Sequence, residues 1–155
     1  MGTTQTWLLH DHRHYEELLL DCKRRLEGED WLRVREALRD LVALLKGHFL
    51  AEEEVLFPAY EGLVDTPACP TQHLREEHNR MRELLRELTK AVEQRDVGCI
   101  SKAFSDLQHI MEGHHEKEEE IFLPMAGHAL LEKREEVMER LKRLDWKGAL
   151  KNWKL

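Results

Sequence analysis

The chain has no apolar run approaching the roughly 20 residues that a membrane-spanning helix needs, and no basic start followed by an apolar stretch, so neither a spanning segment nor a secretory signal is expected. Glycine (8 residues), proline (4) and aromatics (6%) are all sparse, which disfavours a turn-rich β-protein and suits long helices. The three cysteines, Cys22, Cys69 and Cys99, are odd in number and far apart. They form no disulfide framework, and a reducing, cytoplasmic compartment is the expectation. Basic charge is also short. With 24 Lys+Arg against 31 Asp+Glu the formal charge is −7, which argues against a general nucleic-acid binder, since such a protein needs a basic footprint. What remains is 155 residues, 41% of them hydrophobic, enough for one core. The expected organisation is a single domain over 1–155, with a bundle at about 4–124 and a C-terminal helix and tail at about 129–155. One count is out of line: ten histidines, against four Phe and two Tyr.

Helix signals partition the chain. A first helix is expected over about Thr4 to Glu27, ended by Gly28. Asp30 is placed to cap a second, reaching about Tyr60, and Gly62, Pro67 and Pro70 mark a loop. A third helix starts near Thr71 and runs to about Gln94. Asp96 caps a fourth, ending around Pro124, and a fifth, shorter one covers about Ala129 to Leu144. Apolar residues step by three and four, with one gap of seven or ten in each helix, at Leu8, Tyr15, Leu19, Cys22 and Leu26, at Leu38, Leu41, Leu45 and Val55, at Leu74, Met81, Leu85, Leu88 and Val92, and at Ile100, Phe104, Leu107, Met111 and Ile121. This is the seam of a helical bundle. The short connections make the first and second helices, and the third and fourth, antiparallel neighbours. The expected fold is all-α: an up-down-up-down four-helix bundle with an additional short C-terminal helix.

The gaps in that seam are filled by polar residues. His12 and His78 occupy them near the starts of the first and third helices. His48 with Glu52, and His114 with Glu118, occupy them near the ends of the second and fourth. In an up-down bundle these six positions share one layer at one end. They are also related by a fixed offset of 66 residues: His12 to His78, His48 to His114, Glu52 to Glu118. Under that shift HFLAEEEVLFP (from His48) lies on HHEKEEEIFLP (from His114), and DHRHYEELL (from Asp11) on EHNRMRELL (from Glu77). The chain reads as two copies of a helical hairpin, each contributing His and His-x3-Glu to a site of approximate two-fold symmetry.

Two buried glutamates without partners are costly, and metal ions resolve that cost. Residues four apart lie on one helical face, so each His-x3-Glu grips one centre. Imidazole plus carboxylate without thiolate suits Fe, Mn or Zn. Six donor side chains are too many for one ion that keeps an open position, and they suit two ions bridged by the carboxylates.

These motifs (Asp11-His12, His48–Pro58, Glu76–Leu85 and His114–Pro124) resemble the hemerythrin-like, or HHE cation-binding, family over about residues 5–145. The resemblance implies a four-helix bundle around a non-haem di-iron centre, two Fe ions joined by an oxo or hydroxo bridge, with Mn or Zn as alternatives. Its ligands would be His12, His48, Glu52, His78, His114 and Glu118, both glutamates bridging. The sequence departs from the oxygen-carrying hemerythrins, which use a second histidine four residues from the first in the third helix and an aspartate five after the histidine of the fourth. Here those positions are Leu74 or Arg82, and Glu119. The set is more similar to the branch linked to iron–sulfur cluster repair and to nitric-oxide or oxygen response, without that branch's cysteine-bearing N-terminal domain. The function implied is binding of O2, NO or a related small ligand, for sensing, storage or iron and redox stress handling. The alternatives are a di-iron enzyme reducing peroxide or NO, and a metal-free helical interaction module. A small diatomic or peroxide ligand is the expected partner, with no nucleic acid and no membrane.

The remaining polar residues have plainer expectations. His115 projects about 100° away from His114, to the surface or behind the ligands. His10, His14, His109 and His128 are expected at the surface, and His73 at the start of a helix near the site. Tyr15 is expected to pack in the core, the cysteines to be inert, and Glu53, Glu54, Glu119 and Glu120 to form a solvated acidic rim. From Lys142 onward the tail carries a net charge of +4, and Trp146, Ala149, Leu150 and Trp153 form a helical stripe. Docking onto the chain's own acidic bundle is the favoured expectation for that stripe, ahead of a membrane surface or a partner.

Overall fold

A computed structural model describes the backbone of residues 4–65 and 70–144, and the side chains of 12–65 and 70–144. The tail stripe, Cys69, and the side chains of His10 and Leu8 lie outside the described residues. Helix α1 spans Thr4–Glu27 and α2 Trp31–Ala51. A π-helical turn, Glu52–Leu56, leads from α2 into α3, Phe57–Glu61. The second half repeats the plan: α4 Pro70–Gln94, α5 Val97–Lys117, a π turn at Glu118–Phe122, and α6 Leu123–Ala129. A short 3-10 turn (Leu131–Lys133) then leads to α7, Arg134–Lys142. No strand occurs among the described residues, and no helix is long and apolar enough to cross a membrane. The fold is the all-α bundle expected. Helix α1 packs on α2, α4 on α5, and α2 on α4.

Both hairpin corners are built alike. Asp30 accepts from Arg33 N at 3.3 Å and Asp96 from Cys99 N at 3.0 Å, each satisfying an amide that a helix start leaves without a partner. Just before each cap the chain turns through a left-handed residue, Glu29 (φ 54°) and Arg95 (φ 53°). That conformation lets Asp30 N and Asp96 N return to Arg25 O and Ala91 O, closing the preceding helices.

The apolar seam buries as expected through most of its length. Leu41, Leu45, Leu85, Leu88, Ile100 and Leu107 are fully buried, and each contributes about 1.5–3 kcal/mol of burial free energy. Two apolar clusters result. One holds Tyr15, Leu19, Leu45, Phe49, Met81 and Leu107; the other holds Val55, Phe57, Leu74, Phe122, Val137 and Leu141. The polar layer lies between them.

The ends of the second and fourth long helices differ from the expected straight course. The fourth runs past Pro124 to Ala129, and the C-terminal helix is shorter than expected because a 3-10 turn takes up its start. Each π turn shifts one amide from an i−4 to an i−5 acceptor: Phe57 N bonds Glu52 O, and Leu123 N bonds Glu118 O. That frees Glu53 O, and Pro58, which has no N–H, frees Glu54 O. Arg75 donates to the first at 3.4 Å and Arg140 of α7 to the second at 3.5 Å. The extra residue also rotates the seam. Ile121 is 50% exposed, contrary to expectation, while Phe122 turns inward. Its counterpart Val55 stays buried because α7 packs on that turn.

Candidate metal centre

His12 (α1), His48 (α2), His78 (α4) and His114 (α5) meet Glu52 and Glu118 in one layer, all six at 2% exposure or less. The glutamates open the two π turns, so the backbone irregularity begins at the residue that must reach the centre. Glu118 Oε2 lies 2.9 Å from His12 Nε2 and 3.6 Å from His48 Nε2. Its Oε1 lies 2.7 Å from His114 Nε2. Glu52 mirrors this, with Oε1 3.1 Å from His48 Nε2 and Oε2 2.9 Å from His78 Nε2. Two overlapping groups could each hold an ion: His12, His48, Glu52 and Glu118; and Glu52, His78, His114 and Glu118. Both glutamates belong to both groups, one oxygen toward each.

Among the described residues, three of the four histidines are oriented from behind. His12 Nδ1 donates to Glu119 Oε1 (3.1 Å), His78 Nδ1 to Glu53 Oε1 (2.8 Å), and His114 Nδ1 to Glu77 Oε2 (2.8 Å). An ionised carboxylate only accepts, so Nδ1 carries the proton and Nε2 turns its lone pair inward. The centre therefore gathers electron pairs. His78 and His114 Nε2 are 3.1 Å apart, and His12 and His48 Nε2 3.3 Å. All four oxygens of Glu52 and Glu118 are buried, close to these nitrogens, and without a well-aligned hydrogen bond. Such a concentration of donor atoms needs cations, either protons or metal ions, and the donor set fits metal. In the metal-free chain, protons take that place. Burial pulls His48 and His114 down, but the carboxylates outweigh it and hold them at about 10 and about 9. Burial likewise pushes the Glu118 carboxyl up, and the surrounding histidines hold it well below the usual range.

Several surrounding residues correct the sequence reading. Glu53 and Glu119 do more than line a rim: they are the Nδ1 partners of His78 and His12, Glu119 keeping 39% of its side chain exposed, while Glu54 and Glu120 are exposed as expected. Glu77 was not singled out. Its carboxyl is lowered to about 2, because His114 and Lys117 outweigh the burial that would raise it. Its signal is its place directly before His78, mirrored by Asp11 before His12. His115 is buried and stacks on His12, with centroids 3.7 Å apart at 10°. Burial, then the neighbouring His12, lowers it to about 2, so it stays neutral. Tyr15 packs in the core and donates to Leu44 O at 3.3 Å. Cys22 is buried with its thiol pushed up to about 12, inert as expected, and Cys99 is exposed. His14, His73, His109 and His128 are exposed.

A helical bundle with buried His-x3-Glu pairs converging from opposite hairpins defines a metal-binding domain. The hemerythrin HHE cation-binding domain matches this chain twice, over residues 3–126 and 69–149, and the chain belongs to that family. The second match starts 66 residues after the first, the offset of the internal repeat. Neither a comparison with curated proteins nor one with solved structures gave a match.

Proposed function

We propose that this protein is a non-haem di-iron protein that binds O2, NO or a related small ligand. His12 and His48 would hold one ion and His78 and His114 the other, with Glu52 and Glu118 bridging. The single observation that carries this reading is the pair of overlapping buried groups sharing both glutamates. Iron is favoured over zinc because four imidazoles and two shared carboxylates, with no thiolate, suit two higher-coordinate ions that keep room for a ligand better than two closed tetrahedral ones. Bound iron would supply the redox and ligand-binding chemistry. The chain's own part is to aim four Nε2 atoms inward, to keep the protons of His12, His78 and His114 on Nδ1 through Glu119, Glu53 and Glu77, and to exclude bulk water with the apolar clusters on either side. Metal analysis and an ultraviolet–visible spectrum on protein purified without chelator test it. Two irons per chain with near-ultraviolet charge-transfer absorption are expected. A folded protein that takes up no iron, or only one, overturns it.

A further inference from the structure

The two π turns are counterparts 66 residues apart, but among the described residues only the first is covered. Helix α7 packs on it: Arg140 donates to Glu54 O, and Val55 is buried. At the second turn Ile121, the counterpart of Val55, is exposed, and so is Met125 one helical turn on. The residues that follow differ as well. Tyr60 and Glu61 of α3 correspond to Ala126 and Gly127 of α6, and the two smaller residues leave space.

That space is a groove of about 290 Å³ between α6 and α7, walled by Phe122, Ala126, Gly127, Leu131 and Val137. Leu131 lies along it 67% exposed, a large apolar side chain left facing solvent. The described residues end at Leu144, half-buried against the same apolar cluster that holds Phe122 and Val137. Eleven residues follow, 145–155, with Trp146, Ala149, Leu150 and Trp153 at the spacing of one helical face. A helical hairpin turning at 143–145 sets residue 150 beside 138 and residue 153 beside 135, next to the stretch of chain that walls the groove. Charge is complementary too. From Lys142 onward the chain carries +4 against −7 for the whole. Exposed Glu132, Glu135 and Glu136, on the 3-10 turn and the first turn of α7, offer opposite charge to Lys147, Lys151 and Lys154.

We propose that residues 145–155 dock in this groove as a helix antiparallel to α7, with Leu150 and Trp153 covering Gly127 and Leu131, and so give the second half the cover that α7 gives the first. An indole is a large apolar group for such a space, and the small side chains of Ala126 and Gly127 let a helix approach closely. The docking involves no metal and is independent of the di-iron reading above.

Thermal unfolding at equal metal content tests it, on the full chain and on a chain ending at Leu144. Removing 145–155 is expected to lower the melting temperature by about 6 °C or more, with the far-ultraviolet circular dichroism of a folded bundle retained. Gly127 carries the sign of the effect. It is exposed, and a Cβ there meets no described atom within 4 Å. Gly127→Gln should therefore raise the melting temperature of the shortened chain by about 2–4 °C through helix propensity. In the full chain it should lower it by about 2 °C or more, because the new side chain takes the tail's place. Trp153→Ser and Leu131→Lys, both in the full chain, keep the question answerable if the shortened chain does not fold. Each is expected to lower the melting temperature by about 3 °C or more, and the pair by little more than either alone, since both break one contact. An unchanged melting temperature on removal, a rise with Gly127→Gln in the full chain, or additive shifts for Trp153→Ser and Leu131→Lys overturns the docking. A doubled mass by light scattering that Leu131→Lys abolishes gives the groove to a second copy and also overturns it. So does a removal that abolishes binding to phosphatidylserine vesicles without moving the melting temperature, which gives the stripe to a lipid surface.

Discussion

The two halves of this molecule, residues 4–61 and 70–129, carry the same donors at the same spacing and close with the same capped turns, yet they differ in what surrounds the donors. The inner set repeats residue for residue because Glu52 and Glu118 each face both groups, so a change in one half is felt in both. The outer set is under no such constraint. Arg82 and Lys117 support one side, while Glu16 and Ala51 stand at the equivalent places on the other. A duplicated site can thus keep its donor chemistry symmetric while the groups behind its donors diverge.

The strongest way to break the comparison is to remove a shared glutamate. Glu52→Ala and Glu118→Ala each take a donor from both groups, so, on the proposed two-ion reading, metal content by elemental analysis is expected to fall to less than half that of the unchanged chain in either variant, regardless of which half is changed. A variant that retains the metal content of the unchanged chain refutes the sharing.

Next in size are the apolar counterparts Leu41 and Leu107, both fully buried. Truncation to alanine is expected to cost about 2–5 kcal/mol in each half, with iron content preserved. Denaturant unfolding measures this, and a cost confined to one half would show that the two hairpins do not share one core.

Proton linkage sharpens the contrast between the donors and His115. In the metal-free chain His48 and His114 stand at about 10 and about 9, above the ordinary 6.5. Their contribution is therefore complete below pH 6.5 and is lost as the pH rises through 9 to 10. His115 is depressed to about 2, so its contribution is present above pH 6.5 and lost as the pH falls toward 2. Thermal unfolding of metal-free protein across pH 5 to 10 should show a maximum near pH 6.5. Iron should abolish the alkaline decline, because it replaces the protons on the donors. A flat metal-free profile would contradict these assignments.

The smallest effect concerns the two left-handed corner residues. Glu29→Gly and Arg95→Gly each relieve a conformation that costs an L-residue about 1 kcal/mol. Each should raise the melting temperature by about 2–4 °C, equally in both halves. A gain at one corner alone would mean that the corners are not equivalent.

The six inward residues were legible because their signal is local: a step of three or four puts them on the buried face, and the offset of 66 residues pairs them. Glu53 and Glu119 were not, because a regular helix turns the residue after a ligand about 100° away. The π turns change that angle, and the prolines that accompany them, Pro58 and Pro124, lie six residues past the ligand. Ile121 was misplaced for the same reason. Of the two places expected for His115, the one behind the ligands is taken, and its pairing with the core residue Phe49 under the repeat was the signal that decides between them.

By itself, the sequence determined the helical bundle, the two capped hairpins and the inward-facing donor set, since periodicity and capping act within a few residues and the repeat needs only counting. The tertiary structure decided what depends on contacts between helices. Glu119 of the second half reaches His12 of the first, Glu53 of the first reaches His78 of the second, and among the described residues only the His78/His114 side has cations behind its carboxylates. Those contacts join residues up to 107 positions apart. Such pairings exist only once helix packing has set the distance and angle between the chains of side chains, and no local pattern encodes that geometry.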